Sequence, residues 1–301
     1  MRFSVWLTGR QPWTSMIDAA RHAGATGWDG IWFADHFMAV DNMETPTLEV
    51  WTTATAVAMA VPNVRIGTLV LGNTYRHPAV VAKMATTLDV VSGGRAVLGL
   101  GTGWQENEHE AYGIELPSIK ERLERFDEAC TVINGLLTQT RTDFDGRHYT
   151  LRDATCEPKG VNGKVPLLIG GGGEKVMLKL VARHADEWNT WGDPNLMASK
   201  GAVLDAHCEA SGRDPKTIKH SANANVFCSR DESVLAPWRG KRLQGRPTLV
   251  GTPSEIIDLM GAYQEAGVEE FIVPDFNVTE LGAKLELFDL LMDDVVRPLR
   301  R

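Results

Sequence analysis

The 301-residue chain has few of the features that would mark a function at once. Its four cysteines are widely separated and form no CxxC pair, which excludes a disulfide framework and a cysteine zinc site. No apolar run reaches the roughly 18 residues that a membrane-crossing helix needs, and no signal peptide follows Met1. The formal net charge of −8 excludes the basic surface of nucleic-acid-binding proteins. We expect a soluble cytoplasmic protein with neither nucleic acid nor membrane as a partner.

Two missing motifs narrow the class of α/β protein. The segment LTGRQP after the first predicted strand is not the GxGxxG turn of a doubly wound dinucleotide-binding fold. The first strand also lacks the HxH pair of metal-dependent barrel hydrolases, and most other histidines fall away from predicted strand ends. The sequence therefore predicts no metal site.

Strand-like and helix-like segments alternate along the whole chain. The predicted strands are 3–7, 30–34, 64–70, 96–100, 167–169, 187–190, 221–228 and 271–273. The predicted helices are 14–25, 51–60, 78–91, 119–137, 174–183, 196–210, 254–266 and 279–296. Strands that alternate with helices imply right-handed crossovers and a parallel sheet. We expect an α/β fold, a TIM (β/α)8 barrel, as one domain over residues 1–301.

Two segments, 143–166 and 230–247, interrupt this alternation. The first contains DGRHYTL, which predicts a turn and a short hairpin strand. The second is rich in Arg, Lys, Gly and Pro. Active sites of barrels are built from loops at the C-terminal face, so we expect both segments to be loop insertions there that cover the pocket and select the substrate.

The most informative stretch is RAVLGLGTGWQENEHEAYG, from Arg95 to Gly113. A buried strand breaks into Gly101-Thr102-Gly103 where a parallel strand should end, so bare backbone and one hydroxyl face the site at which barrels bind ligands. This pattern indicates a site for a flat polar ligand. The alternative is a βα turn whose glycines only supply positive φ.

Polar groups follow two neighbouring predicted strands. Asp35 and His36 come directly after the strand GIWFA, so an imidazole that can exchange a proton near neutral pH stands at the barrel mouth with a carboxylate beside it. The alternative is a histidine that only caps the strand end. Arg76, after the third strand, offers a cation for an anionic or carbonyl group, or an ion pair with a nearby carboxylate.

Gly170, Gly171, Gly172 and Gly173 lie between a strand and a helix predicted to begin at Glu174. Consecutive glycines before a helix expose several N–H groups and the positive end of the helix dipole, which favours phosphate binding over a plain turn. Five aromatic side chains could line the site of a flat ring: Trp28, Trp32, Trp104, Trp188 and Trp191. Core packing explains at least two of them.

The ordered series of motifs resembles the luciferase-like family of flavin- and deazaflavin-dependent oxidoreductases. The motifs are WFADHF at 32–37, RIGTLVLGNTYRHPAVVAKMATTLDVVSGGRAVLGLGTGWQENEHEAYG at 65–113, ERLERFDEA, FDGRHYTL, CEPK, PLLIGGGGEKVMLKLVARHADEWN, GTPSEIIDLM and YQEAGVEEF. Within that family the chain most resembles the branch that uses coenzyme F420, a deazaflavin that carries hydride at C5. The resemblance also implies a homodimer.

The resemblance implies roles for residues at the reactive face of the cofactor. His36 would donate or accept the proton, with Asp35 beside it. Leu69 and Val70 would be joined by a non-prolyl cis peptide that supports the ring from behind.

It also implies contacts along the rest of the cofactor. Thr102, Gly103 and Asn107 would contact the ring and its ribityl-like chain, and Gly171–Gly173 would form the phosphate loop. One position departs from the pattern, because Trp104 stands where some sugar-phosphate dehydrogenases of the family carry a catalytic glutamate. The resemblance therefore argues against sugar-phosphate chemistry.

The expected function is an F420-dependent oxidoreductase that transfers hydride between the deazaflavin and a small organic substrate. The alternatives are an FMN-dependent monooxygenase and a barrel that binds a cofactor or a partner without turnover. A cationic groove for the glutamyl tail would favour F420 over FMN, and Arg76, Lys241, Arg242 and Arg246 are its candidate members.

Overall fold

A computed structural model describes residues 1–300 and contains a closed barrel of parallel strands. The thirteen strands are β1 (Arg2–Trp6), β2 (Gly30–Phe33), β3 (Arg65–Thr68), β4 (Leu71–Gly72), β5 (Ala96–Gly101), β6 (Thr142–Asp145), β7 (Thr150–Ala154), β8 (Leu167–Gly170), β9 (Glu187–Trp191), β10 (Lys219–Asn223), β11 (Asn225–Cys228), β12 (Thr248–Gly251) and β13 (Glu270–Pro274). Eight of them pair in the closed order β1-β2-β3-β5-β8-β9-β10-β13, which returns to β1. The predicted TIM barrel is confirmed.

Helices cover the outside of the barrel. They are α1 (Trp13–Thr26), α2 (Val50–Ala60), α3 (Pro78–Ser92), α4 (Glu106–Tyr112), α5 (Ile119–Thr138), α6 (Met177–His184), α7 (Pro194–Ala210), α8 (Glu232–Leu235), α9 (Pro253–Glu265), α10 (Leu281–Leu291) and α11 (Arg297–Leu299), with a π-helical turn at Met292–Val296. Proline at the first turn begins α3, α7 and α9, where its missing N–H costs nothing. Within residues 1–300, none of these helices has both the length and the apolar character that spanning a membrane requires.

The apolar core has two parts. The larger part lies between the strands and the surrounding helices. The smaller part fills the inside of the barrel and consists of Trp6, Trp32, Leu69, Val97, Leu168 and Ile272. Because the interior is filled with side chains, as in other TIM barrels, a ligand has to bind at the mouth.

Two predicted strands differ from the observed ones. The predicted strand 64–70 ends at Thr68, is interrupted by a cis peptide between Leu69 and Val70, and resumes as β4. The predicted strand 221–228 divides at Ala224: β10 stays in the barrel, whereas β11 leaves it and pairs with β12. Neither segment contains a proline, so its composition does not reveal where the chain leaves the sheet.

Two helices also differ from prediction. The helix predicted at 174–183 begins at Met177, after a turn, because the glycine run continues as loop. Helix α4 was not predicted, since its seven residues, ENEHEAY, are mostly polar and resemble a loop.

The insertions at 143–166 and 230–247 lie in different places. The first contains the predicted hairpin, β6 and β7, which packs on α5 through Glu128: its carboxylate accepts hydrogen bonds from the amides of Arg147, His148 and Tyr149. No residue of 143–166 lines the cavities at the barrel mouth, so the expectation that it covers the pocket is wrong. The second insertion does reach the mouth, through Gln244 and Arg246.

Candidate active site

Three connected cavities open at the C-terminal ends of the strands. The central cavity, of about 300 Å³, lies between His36, Val70, Thr102 and the aromatic residues of β1 and β9. The glycine groove, of about 590 Å³, shares Thr102–Trp104 and Gly170–Gly171 with it and continues along Gly172 and Gly173 to α5. The side cavity, of about 490 Å³, shares His36 and Trp104 with the central cavity. All the sequence-predicted site residues except Asn107 thus line one trench.

His36 stands at the junction of the central and side cavities. Its Nδ1 lies 2.9 Å from Oε1 of Glu108, a carboxylate on α4 with no exposed side-chain surface. Among residues 1–300, Nε2 of His36 has no hydrogen-bond partner. A carboxylate on one nitrogen fixes the tautomer and orientation of an imidazole and leaves the other nitrogen free to exchange a proton.

Glu108 is the central polar group beneath His36. Its carboxylate also accepts hydrogen bonds from the Tyr75 hydroxyl and, over 2.8 Å, from the Phe37 amide. Burial opposes its ionisation, but the hydrogen bonds from His36, Tyr75 and Phe37 outweigh burial and hold the pKa of Glu108 below its usual value. Burial and the bond to Glu108 raise the pKa of Tyr75, so the phenol remains a donor.

Glu108 was missed in the sequence because α4 was not predicted. The sequence does contain a signal for Glu108, because this residue lies five residues after Gly103 in a short polar segment that follows a barrel strand. Such a segment carries side chains back over the mouth.

Asp35 has a different role from the one expected beside His36. Its buried carboxylate accepts two hydrogen bonds from Arg76, at 2.7 and 3.1 Å, and one from the Gly72 amide at 3.1 Å. Arg76 also donates to Glu49, the N-cap of α2, over 2.8 Å. The ion-pair alternative for Arg76 is therefore the observed one, and the Asp35–Arg76 pair ties together the loops after β2 and β4.

The cis peptide between Leu69 and Val70 is present, as predicted from the resemblance. Val70 is held between two glycines: a Cβ on Gly101 would lie 2.7 Å from Val70 Cγ2, and one on Gly170 would lie 2.9 Å from Val70 Cγ1. Real Cβ atoms do not approach other atoms so closely, so both positions require glycine. The bulge forms the floor of the central cavity.

Thr102 and Gly103 line both the central cavity and the glycine groove, and Gly103 has the positive φ of +79° that favours glycine. Asn107 lies elsewhere. Its Nδ2 donates to the Ala39 carbonyl over 2.9 Å, and it lines neither cavity, because the first turn of α4 directs it toward the preceding loop.

The glycine run is anchored on one side and free on the other. Lys200 donates to the Gly172 carbonyl over 2.6 Å, and Nε1 of Trp188 donates to the Gly171 carbonyl over 2.7 Å. The amides of Gly172 and Gly173 donate to no acceptor in the described part of the chain. Since α6 begins only at Met177, the free amides, and not a helix end, are the donors offered to a ligand.

The tryptophans divide into core and cavity residues. Trp28, Trp32 and Trp188 are buried in the core, whereas Trp104 and Trp191 line the central cavity. Trp6, which was not predicted, also lines it and packs against Trp191 with ring centroids 5.8 Å apart. Trp104 is 57% exposed and stands edge-on to His36, with 5.6 Å between the ring centroids.

The four cations expected to form one groove are dispersed. Arg76 is paired with Asp35, and Arg242 lies with Lys241 in a separate cavity near Asp193. Arg246 alone reaches the mouth, where its guanidinium stacks over Trp191 at 4.3 Å from the ring centroid. The expected groove is therefore not formed, because the Arg230–Pro247 segment folds back on itself around β12.

Comparisons with known proteins identify the family of the chain. The family model described as luciferase-like monooxygenase matches residues 1–238. An F420-dependent glucose-6-phosphate dehydrogenase from Kineococcus radiotolerans is 34% identical over 222 residues, which are 72% of this chain and 64% of that protein. The matched part is thus less than two thirds of that relative's length.

Two solved structures share the architecture. An F420-dependent secondary alcohol dehydrogenase, in complex with an F420–acetone adduct, superposes with a TM-score of 0.85 at 20% identity over 100% of this chain and 99% of that one. The EDTA monooxygenase of Chelativorans sp. BNC1 superposes with a TM-score of 0.84 at 16% identity, over 100% and 93%. The structural likeness shows the fold, the sequence match covers most of the chain, and we conclude that this protein belongs to the luciferase-like monooxygenase family.

Proposed function

We propose that the protein is an F420-dependent oxidoreductase that transfers hydride between C5 of the deazaflavin and a small organic substrate. The single observation that carries the proposal is the His36–Glu108 pair, which stands beside a cavity floored by Val70 and continuous with the glycine groove. The name of the relative from Kineococcus radiotolerans supports F420 as the cofactor.

The residues at the mouth fit such a cofactor. The missing Cβ atoms of Gly101 and Gly170 leave the Val70 bulge as a flat support, and the free amides of Gly172 and Gly173 suit an anionic tail. We assign ring contacts to Leu69, Val70, Thr102 and Gly103, and phosphate contacts to Gly170–Gly173. Asp35 and Asn107 would support the site indirectly, through Arg76 and Ala39.

When bound, the deazaflavin supplies a hydride donor or acceptor at C5. His36 exchanges the accompanying proton with the substrate oxygen through Nε2, while Nδ1 donates to Glu108. The ionised Glu108 carboxylate stabilises the imidazolium that forms when His36 accepts the proton. Trp6, Trp104 and Trp191 exclude water from the reacting groups.

The substrate enters through the side cavity in this proposal. Its walls combine the apolar side chains of Trp6, Val40, Trp104 and Phe276 with polar ones such as Gln11 and Arg246, which suits a partly apolar carbonyl or alcohol compound. Because Trp104 replaces the glutamate that some sugar-phosphate dehydrogenases of the family carry, we propose a substrate other than a sugar phosphate.

Titration of the purified protein with F420 and with FMN, followed by cofactor fluorescence, tests the assignment. We expect tighter binding of F420. FMN binding in the micromolar range without detectable F420 binding would instead identify an FMN-dependent monooxygenase, an alternative consistent with the shared fold of EDTA monooxygenase.

We also propose that residues 1–301 form one domain and that the protein is a cytoplasmic homodimer. Support for the dimer is an exposed, largely uncharged surface on α2 and α3, formed by Thr52, Thr55, Met59, Val80, Val90 and Val91. The four cysteines are buried free thiols, which suits a reducing compartment. Light scattering of the purified protein measures the oligomeric state, and a mass of one chain would contradict the dimer.

A further inference from the structure

The glycine groove contains an arginine, Arg122 of the ERLERFDEA motif, that has no role in the His36 site and was given none in the sequence analysis. Arg122 lies on the first turn of α5, whose N-terminus is capped by Ser118. Its side chain lines the groove opposite Gly170–Gly173. One nitrogen, Nη1, donates to the Gly103 carbonyl, so the guanidinium is held against the loop that joins the groove to the central cavity.

The remaining donors of Arg122 are unused. Its Nε is buried and has no hydrogen-bond partner, and no bond from Nη2 is formed to any of residues 1–300. No carboxylate in that part of the chain lies within 4.0 Å of the guanidinium. Because Nη2 donates to none of residues 1–300, the guanidinium keeps donors for an acceptor that a ligand in the groove would supply.

The charge around the groove favours an anion. Lys175 also lines it and forms no ion pair within residues 1–300, while Glu174, the acidic residue of this lining, is neutralised by Lys200 at 3.1 Å. With the free amides of Gly172 and Gly173 on the opposite wall, the groove presents N–H donors from two sides. Guanidinium and backbone amides together are a typical arrangement for a phosphate group.

We propose that Arg122 is a cofactor-binding residue that donates to the phosphodiester of the deazaflavin tail. This inference rests on the proposed function. By also holding the Gly103 carbonyl, Arg122 connects the phosphate end of the cofactor with the loop that contacts its ring.

The test compares three fluorescent ligands: the deazaflavin chromophore without phosphate, the form with the phosphodiester but no glutamates, and complete F420. Arg122→Ala should weaken binding of the two phosphate-bearing ligands roughly 10- to 100-fold, in line with the strength of hydrogen bonds to charged groups. Its affinity for the chromophore should fall much less, because only the bond to the Gly103 carbonyl is lost for that ligand. Arg122→Lys should recover part of the loss because it keeps the charge.

Arg125→Ala is the matched control. Arg125 lies one turn further along α5, pairs with Glu121 and Glu115 over 2.7 and 3.1 Å, and does not line the groove. We expect its affinities to equal those of the wild type.

Four outcomes would overturn the inference. Equal losses for all three ligands would mean that Arg122 only holds the Gly103 loop, and no loss would mean that it touches no ligand. A loss confined to complete F420 would assign Arg122 to the glutamate carboxylates. A wild-type protein that binds none of the three would remove the proposed function and this inference together, whereas the first three outcomes leave the proposed function intact.

Discussion

The two ends of the barrel differ in whether their polar and charged groups have partners within the protein. At the N-terminal end, Arg65 lies between Glu187, at 2.6 Å, and Glu270, and Arg2 adds a second bond to Glu270 at 3.1 Å. Trp32 donates its indole N–H to Glu270 over 2.9 Å. These charged groups are thus paired with other side chains of the protein.

At the C-terminal end, several polar groups could still form hydrogen bonds. The groups without a partner in residues 1–300 are Nε2 of His36, Nε and Nη2 of Arg122 and the amides of Gly172 and Gly173. Each belongs to a residue that another hydrogen bond holds in place. The difference indicates that paired charges at the first end stabilise the fold, and that half-satisfied groups at the second end are available to ligands. This agrees with the division of stability and catalysis between the two faces of TIM barrels.

The largest effect is expected at His36. His36→Ala removes the group that exchanges the proton, so turnover should fall by roughly two to four powers of ten. The affinity for F420 should stay close to the wild-type value. Steady-state kinetics and fluorescence titration measure both quantities, and near-normal turnover would reduce His36 to a structural residue.

At the opposite end, Arg65→Met should affect stability instead of turnover. Glu187 and Glu270 would remain buried with only Arg2 as a cation, at 3.8 and 3.1 Å, and breaking a buried ion pair costs up to about 3–5 kcal/mol in the free energy of unfolding. Urea denaturation followed by circular dichroism measures this loss. Turnover per folded molecule should be unchanged, and a selective loss of turnover would contradict the division between the two ends.

Glu108→Gln tests how His36 is positioned. The amide preserves the shape but not the charge that stabilises the imidazolium, so kcat should fall about 10- to 100-fold, with little change in cofactor affinity. Wild-type kcat in this variant would remove Glu108 from the proton-transfer step.

The same variant gives a pH dependence of stability. Because the folded-state pKa of Glu108 is lowered, its ionised form stabilises the folded protein above the unfolded-state value of 4.5. That contribution should be constant above about pH 5.5 and be lost as the pH falls through 4.5 toward the folded pKa. Unfolding curves of wild type and Glu108→Gln should therefore differ less in acid, and a difference independent of pH would contradict the assigned direction.

A smaller effect is expected at Gly170, in the floor of the central cavity. Gly170→Ala places a Cβ 2.9 Å from Val70 Cγ1, so the bulge must shift, and we expect about a tenfold weaker affinity for F420. Gly261→Ala, in the middle of α9, meets no atom within 4 Å. This control should stabilise the protein by about 0.4–1 kcal/mol and leave cofactor binding unchanged. Equal cofactor affinity in the two variants would exclude Val70 as the support of the ring.

The sequence predicts the barrel, because the alternation of apolar strands and amphipathic helices is a local property that is repeated along the chain. It also placed His36, Thr102, Gly103 and the glycine run at strand ends, and those ends meet at the mouth of the barrel in any parallel arrangement. The family and the cis peptide at Leu69–Val70 followed from the resemblance alone, and both are confirmed.

Which groups are paired depends on the fold in three dimensions. Asp35 is adjacent to His36 in the chain, yet successive residues after a strand point in different directions, so Asp35 reaches Arg76 while Glu108, 72 residues away, reaches His36. Arg122 stands near the glycine loop only because α5 packs beside it, whereas Arg76 and Arg242, expected in one groove, find carboxylates elsewhere. Hydrogen bonds and ion pairs depend on distances between remote segments, and those distances are set by how the helices pack around the closed sheet.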